Sequence, residues 1–288
     1  VADSLPFQMF RREPERLFGE GIGCSRAPIA SLLFALKSLR SIRALRSKNL
    51  GVLFYCDEGR DCRYSQDIIR AATKAAKRVI VLKPGNLGEK YVTGRRGQGT
   101  LKVCFQGKPT RLGKPGKRAI LTEVFRRLDD CMNLSDAKTR ISVGTLNIQT
   151  ENLPMMLPHR VDATIMFSFP DQDSGSQLEK NMREILLAKG LQVRVDRISI
   201  RPPMLDRGSK SELRKTIESI AKRWEIPLKK ESSAWPSVGG LAPEKVDVIC
   251  GVGPVCHDIY RPEESVERIS LVQRTLLLAE LLLNVGNS

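Results

Sequence analysis

The sequence predicts an α/β protein in which a compact α+β domain interrupts a domain built on a mostly parallel sheet. Strand and helix patterns alternate near both ends of the chain, which is typical of a parallel sheet covered by helices on both faces. The middle of the chain instead has the order β-α-β-β-α-β, the ferredoxin-like arrangement. We therefore expect a first domain in two parts, 1–94 and 204–288, and an inserted ferredoxin-like domain at 95–203.

The first part of the chain predicts a helix followed by a βαβ unit. Apolar residues recur at helical spacing between residues 27 and 46, with Pro28 in the opening turn. Apolar runs predict a buried strand at Leu50–Cys56 and a second strand at Arg78–Leu82. The segment between them, Ser65–Lys77, has the composition of a helix.

The inserted domain and the last part follow in order. The insert is predicted to contain strands at Thr100–Gln106, Arg140–Gln149, Arg160–Phe169 and Leu191–Arg201, and helices at Gly116–Met132 and Ser174–Ala188. After Pro202 and Pro203 the first pattern resumes. It predicts a helix at Lys210–Arg223, a buried strand at Val246–Cys250 and a long helix at Ser265–Leu283.

The charge of the chain favours anionic partners. The sequence has 48 Lys and Arg against 32 Asp and Glu, a net charge of +16. Such an excess is typical of proteins that meet nucleic acid, anionic lipid or acidic ligands, although a solvated basic surface is the alternative. No RNP motif or zinc finger accompanies the charge. The basic residues are densest at Arg40–Lys48, Lys74–Arg78, Arg95–Arg96 and Arg111–Arg118.

Cysteine usage and hydropathy indicate the compartment. The seven cysteines form no Cys-x-x-Cys pair, which fits reduced core thiols better than a disulfide framework. The longest apolar run, Leu276–Leu283, is shorter than the roughly 20 residues needed to cross a bilayer. No signal segment opens the chain. We expect a protein of the cytoplasm or another reducing intracellular compartment, with no membrane partner.

Several segments, in order, carry a resemblance to a known family. Gly19–Ile29 is similar to a glycine-rich stretch that precedes a first core helix, and Val52–Glu58 to a strand that ends in Asp-Glu-Glu. Gly251–Pro254 and Tyr260–Glu264 are similar to a closing metal motif. Together they resemble the M20 family of zinc-dependent amidohydrolases and peptidases, which includes acetylornithine deacetylase, succinyl-diaminopimelate desuccinylase and carboxypeptidase G2-like enzymes. The resemblance implies a zinc-peptidase-like three-layer domain, with the insert as the lid or dimerisation domain.

The resemblance also implies a site for two zinc ions. Family members hold them with two histidines, a bridging aspartate and two further carboxylates, and a glutamate acts as general base. In this chain the position of the base is kept as Glu58. Cys24 stands for the bridging aspartate, Gly59 and Lys83 stand for the two carboxylates, and Tyr260 stands for the closing histidine. We therefore expect no metal at these degenerate positions.

Other residues complete the predicted site. Arg111 takes the place of the lid histidine that stabilises the oxyanion in family members. With Lys83 and Asp57 it is a candidate binding residue, because such cations suit a carboxylate or phosphate group. His257 lies three residues before the expected histidine, so Cys24 and His257 are weak candidates for a partial metal site.

These observations give one main hypothesis and two alternatives. The main one is an M20-like pseudoenzyme without cofactor, in which Glu58 is a vestigial general base. It would act as a homodimer through its lid or as a subunit of a larger assembly. One alternative is an active M20-type metallo-amidohydrolase or peptidase that uses zinc with unusual ligands and cleaves N-acyl amino acids or dipeptides. The other is an RNA- or anion-binding scaffold on the same fold.

Overall fold

The chain divides into two compact units. The computed structural model describes residues 10–85, 90–113, 120–151, 153–187 and 189–285. The first unit comprises residues 1–95, 204–233 and 237–288, and the second comprises residues 96–203 and 234–236.

The elements of both units follow in chain order. The strands are β1 (Arg11–Arg12), β2 (Arg16–Phe18), β3 (Arg78–Val81), β4 (Lys90–Arg95), β5 (Gly97–Gln106), β6 (Thr110–Arg111), β7 (Ser142–Thr150), β8 (Met156–Leu157), β9 (Arg160–Phe169), β10 (Gln192–Arg201), β11 (Lys229–Ser233), β12 (Asp247–Cys250), β13 (Cys256–His257) and β14 (Ser265–Glu267). The helices are α1 (Ala27–Ser41), α2 (Gln66–Lys74), α3 (Leu121–Met132), α4 (Gln172–Leu186), α5 (Glu212–Arg223) and α6 (Arg268–Val285).

The main sheet of the first unit has the strand order β11-β4-β12-β3. Strands β11 and β4 pair in parallel, as do β12 and β3, while β12 meets β4 in antiparallel fashion through Cys250 and Val92. Helices cover both faces, because alternate residues of a strand point to opposite sides. Ile80 of β3 packs with α1, α5 and α6, whereas Val81 packs with Ile69 of α2. The predicted α/β class with three layers is therefore confirmed.

The predicted buried strand at Leu50–Cys56 is wrong. The segment forms no strand, and Phe54 is 63% exposed. Its apolar composition favours extended backbone, but a strand also needs a neighbour to complete its hydrogen bonds. Strand β3 is the edge of its sheet, and no described strand pairs with residues 50–56. Tyr55, near the end of the segment, packs against the buried cluster that includes Cys62, Ile69 and Val81.

The first helical segment is apolar enough to resemble a membrane span. Residues Ile22–Ser41 pass by length and composition, with 44% of the window buried inside the fold. Leu32 and Leu39 of α1 pack against Leu278 and Leu282 of α6. The buried stripe is therefore that of a core helix, and the composition alone is weak evidence for a membrane.

The second unit has the ferredoxin-like arrangement. Its antiparallel sheet has the strand order β10-β5-β9-β7, and α3 and α4 pack against it. Every second residue of β9 is buried, from Val161 to Phe169. Gly99 lies opposite Phe167 in the register, and a Cβ there would meet the Phe167 ring at 2.2 Å. A glycine therefore makes room for the ring. Strands β6 and β8 form a separate two-stranded antiparallel sheet in the same unit.

The core of the second unit predicts that two Phe→Ala substitutions change the free energy of unfolding by very different amounts. Phe105 on β5 is fully buried, whereas Phe125 on α3 is half-exposed. We expect Phe105→Ala to destabilise the protein by about 3–5 kcal/mol, because it removes a buried ring and leaves a cavity. Phe125→Ala should cost less than about 1 kcal/mol. Urea unfolding followed by circular dichroism measures both, and equal costs would contradict this description of the core.

Candidate functional site

Distant segments of the sequence meet at the carboxyl end of β3. The Gly253 amide donates to the Lys83 carbonyl at 3.0 Å, and the Gly85 amide donates to the Pro254 carbonyl at 3.1 Å. Strand β12 runs parallel to β3, so both strands end at this edge. A few residues further on, Cys256 lies against Gly23 from the start of the chain. Open α/β sheets bind ligands outside the carboxyl ends of their strands, so this edge is the candidate site.

Two glycines permit this close approach. A Cβ on Gly253 would lie 2.8 Å from the Lys83 carbonyl oxygen. A Cβ on Gly23 would lie 2.5 Å from the Cys256 sulfur. Both distances are shorter than van der Waals contact, so any larger residue would push these segments apart.

An ion pair joins two of the predicted site residues. Glu58 begins a short 3₁₀ turn, Glu58–Arg60, which follows the strand-free segment 50–56. Its Oε1 lies 2.6 Å from Lys83 Nζ, and the two side chains are 24% and 19% exposed. Its Oε2 accepts a hydrogen bond from the Tyr55 hydroxyl at 2.7 Å, and the Cys62 sulfur lies 3.5 Å away. Both oxygens of the predicted base therefore have partners within the protein.

The neighbours of Glu58 are placed differently. The Asp57 carboxylate accepts hydrogen bonds from the backbone amides of Tyr64 and Ser65 at 2.9 and 3.0 Å, and from the Ser65 hydroxyl. Burial opposes its ionisation, but the hydrogen bonds from Ser65 and Tyr64 outweigh burial and lower the pKa of Asp57. Asp57 thus anchors the start of α2. At exposed Gly59, an added Cβ would meet nothing within 4 Å.

A buried glutamate organises the segment around Cys24. Glu264 is 1% exposed, and its carboxylate accepts hydrogen bonds from the backbone amides of Gly23, Cys24 and Tyr260 at 2.7, 2.8 and 3.2 Å. The Cys24 sulfur lies 4.0 Å from Glu264 Oε2. Burial and then the negative charge of Glu264 raise the pKa of Cys24 to about 11. The thiol is therefore protonated at neutral pH, whereas metals bind the thiolate.

The other candidate metal ligands are His257 and Tyr260. His257 Nε2 lies 2.7 Å from Glu267 Oε1, so it pairs with a different carboxylate from Cys24. Tyr260 has a positive φ of 65° and a side chain that is 56% exposed. Within the described parts of the chain, no group of three or more His, Cys, Asp or Glu side chains is placed to hold a metal ion.

The predicted lid residues lie in the second unit. Arg111 is exposed on β6, which pairs with β8. The other histidine, His159, lies just before β9 with its Nε2 3.3 Å from Glu151 Oε2. These positions belong to a different unit from Glu58 and Lys83.

The role of Glu264 does not follow from the sequence. The motif Tyr260–Glu264 was noted for its likeness to a metal motif, and it contains two adjacent glutamates. Only the packing shows that the second of these is buried and receives three backbone amides. A buried carboxylate with such donors is a structural anchor, and the sequence alone gives no signal that distinguishes it from its neighbour.

Comparison with known proteins identifies the fold. No family model matches the chain. Over 152 residues, 52% of the chain, it is 26% identical to carboxypeptidase G2 from Pseudomonas sp. (strain RS-16), and the match spans 37% of that protein's length.

Solved structures of two peptidases match most of the chain. Aminopeptidase PepT from Bacillus cereus ATCC 10987 has a TM-score of 0.71 at 12% identity, covering 96% of this chain and 76% of that one. A tripeptidase from Staphylococcus aureus subsp. aureus Mu50 has a TM-score of 0.75 at 13% identity, covering 97% and 76%. The fold of this chain is that of the M20 peptidase family.

The environment of Cys24 predicts slow alkylation. With a pKa of about 11, only about a thousandth of the thiol is ionised at pH 8, so its reaction with iodoacetamide should keep accelerating up to about pH 11. Peptide mass spectrometry after timed labelling measures the rate, and exposed Cys56 is the internal reference. The range is limited to pH values at which circular dichroism shows the native fold. A Cys24 rate that levels off by pH 8 would contradict the described contact with Glu264.

Proposed function

We propose that this M20-like chain has lost metal-dependent amide hydrolysis and acts as a binding or assembly subunit. The observation that supports this most strongly is the ion pair between Lys83 and Glu58, 2.6 Å long. The resemblance places a zinc-binding carboxylate at position 83 and the general base at position 58. Here the Lys83 ammonium group is paired with Glu58 instead. Its positive charge would repel a metal ion at this position.

The charges at the aligned positions also oppose a pair of divalent ions. Three carboxylates of the family pattern are replaced by the neutral thiol of Cys24, the hydrogen of Gly59 and the ammonium of Lys83. Zinc sites need anionic or imidazole ligands, because these neutralise the ion and replace its water. The candidate substitutes, Cys24 and His257, are engaged with two separate glutamates. These residues therefore do not fit a two-zinc site.

An anionic group is the ligand that the remaining chemistry favours. In this proposal Lys83 exchanges Glu58 for a carboxylate or phosphate group of the ligand. Exposed Arg111 is proposed separately, as an anion-binding residue of the second unit. Asp57 would act indirectly, because its hydrogen bonds hold the turn that carries Glu58.

Assembly is proposed to occur through the second unit, as a homodimer or within a larger complex. Strands β7 and β10 are the edges of its sheet, and unpaired edges can bind another strand. On β7, Leu146 and Ile148 are exposed apolar side chains beside this edge. A purely monomeric protein in sedimentation equilibrium at micromolar concentration would argue against the homodimer.

The loss of metal binding predicts a measurable effect of one substitution. We expect the protein purified with zinc to contain well below one zinc ion per chain and to hydrolyse neither N-acyl amino acids nor dipeptides. Lys83→Glu replaces an ammonium group that repels zinc by a carboxylate that attracts it. Zinc affinity should therefore rise at least about tenfold, a change of about 1.4 kcal/mol. Competition with a zinc-binding dye measures the affinity.

The control for this experiment is Lys102→Glu, which makes the same charge change at an exposed position of the second unit. It should leave zinc affinity within about twofold. About two zinc ions per chain in the unmodified protein, with turnover that a chelator abolishes, would instead establish the active metallo-amidohydrolase. This measurement on the unmodified protein decides the question even if Lys83→Glu fails to fold.

A further inference from the structure

We propose that the first unit binds the phosphate backbone of nucleic acid through a surface at the amino-terminal end of β3. This basic surface consists of Arg40, Arg43, Arg46, Lys48, Lys74, Lys77 and Arg78. It lies at the opposite end of β3 from Lys83. The proposal is therefore independent of whether the candidate site binds a metal or a small ligand.

The basic surface comes from two segments of the chain, residues 40–48 and 74–78, and two hydrogen bonds bring these segments together. Lys48 Nζ donates to the carbonyl of Leu283, and Arg78 Nη1 donates to the carbonyl of Val285 at 2.9 Å. Both carbonyls belong to the last turn of α6, where backbone acceptors lack helical partners and the helix dipole attracts cations. The segment that ends α1 and the segment that begins β3 therefore converge on one end of α6.

The rest of the basic surface has no acidic neighbour in sequence. No Asp or Glu occurs between Glu20 and Asp57, or between Asp67 and Glu89. Five of the cations are exposed and form no ion pair with any residue that the structure describes: Arg40, Arg43, Arg46, Lys74 and Lys77. Local positive charge is therefore concentrated here rather than neutralised.

The sheet pairs Arg78 with an acidic residue, Asp247, whose carboxylate binds a different part of the unit. Asp247 is the register partner of Arg78, but it is buried. Its Oδ2 accepts a hydrogen bond from the backbone amide of Leu213 at the start of α5, at 2.8 Å. The Asp247 carboxylate thus binds a backbone amide at the start of α5 and does not neutralise the exposed cations.

The composition of the surface favours nucleic acid over a lipid membrane. Binding to a membrane surface relies on an apolar face as well as on charge. Between residues 40 and 48, Ile42 is the one large apolar side chain that is exposed, because Leu45 packs into the core. Four of the seven cations are arginines, whose guanidinium groups bind phosphate oxygens in bidentate fashion. Contact with the backbone alone requires no base-reading motif, which agrees with the lack of one in the sequence.

Salt dependence of binding tests the proposal on the whole protein. The probes are a fluorescein-labelled 20-nucleotide polyuridine RNA and a 20-base-pair DNA duplex, followed by fluorescence anisotropy. If about four phosphates of the single strand are neutralised, the affinity for RNA should fall about 50-fold between about 50 and 200 mM salt. Absent binding of both probes, or binding that salt does not weaken, would overturn the proposal.

A matched pair of variants locates the surface. The test variant combines Arg40→Gln, Arg46→Gln, Lys74→Gln and Lys77→Gln. The control variant combines Lys102→Gln, Lys138→Gln, Lys180→Gln and Lys222→Gln, which are also exposed and remove the same net charge.

The outcomes of this comparison are distinct. The test variant should lose at least about tenfold in affinity for the bound probe and show a shallower salt slope, because each lost phosphate contact reduces that slope. The control should remain within about threefold. Equal losses would show that net charge alone drives binding and would overturn the assignment. Binding to phosphatidylserine vesicles without binding to either nucleic acid would replace it with a membrane surface.

Discussion

The ion pair between Lys83 and Glu58 is the contact on which the candidate site depends. It joins the turn that follows segment 50–56 to the end of the edge strand β3, and it places a cation and an anion together in the candidate site. Removing one member of a partly buried pair leaves the other charge without its partner, which is costly. The pair is supported by the Tyr55 hydroxyl on the second oxygen of Glu58. Together these contacts give the site an internal cation, and this is the physical reason for proposing a binding role rather than metal chemistry.

A second anchor lies nearby in the same unit. The buried carboxylate of Glu264 receives backbone amides from Gly23 and Cys24, about 240 residues earlier in the chain. Burial, and then the negative charge of the same carboxylate, raise the pKa of Cys24, so the thiol stays protonated at neutral pH. In this chain Glu58 binds the ammonium group of Lys83, and Glu264 binds backbone amides. Both carboxylates therefore bind groups within the protein. Exposed cations lie at the opposite end of β3.

The sequence predicted the fold class well, and its failures have physical causes. The strand at Arg160–Phe169 was predicted with its observed bounds, because its side chains alternate cleanly between buried and partly exposed positions. The strand at Leu50–Cys56 was wrong, since composition gives propensity but no pairing partner. Strands β4 and β11 were missed because lysine, glutamate, glycine and serine interrupt their apolar pattern. The resemblance indicated which positions to compare, but only the coordinates show that Lys83 contacts Glu58 and that Glu264 is buried.

Diffraction can show directly what occupies the space beside Glu58. Crystals grown with excess zinc and measured on both sides of the zinc absorption edge would give an anomalous difference map of the candidate site. The account predicts no zinc peak within coordination distance of Glu58, with the Lys83 ammonium still on that carboxylate. Two peaks about 3.5–4 Å apart beside Glu58, with Lys83 displaced, would contradict it.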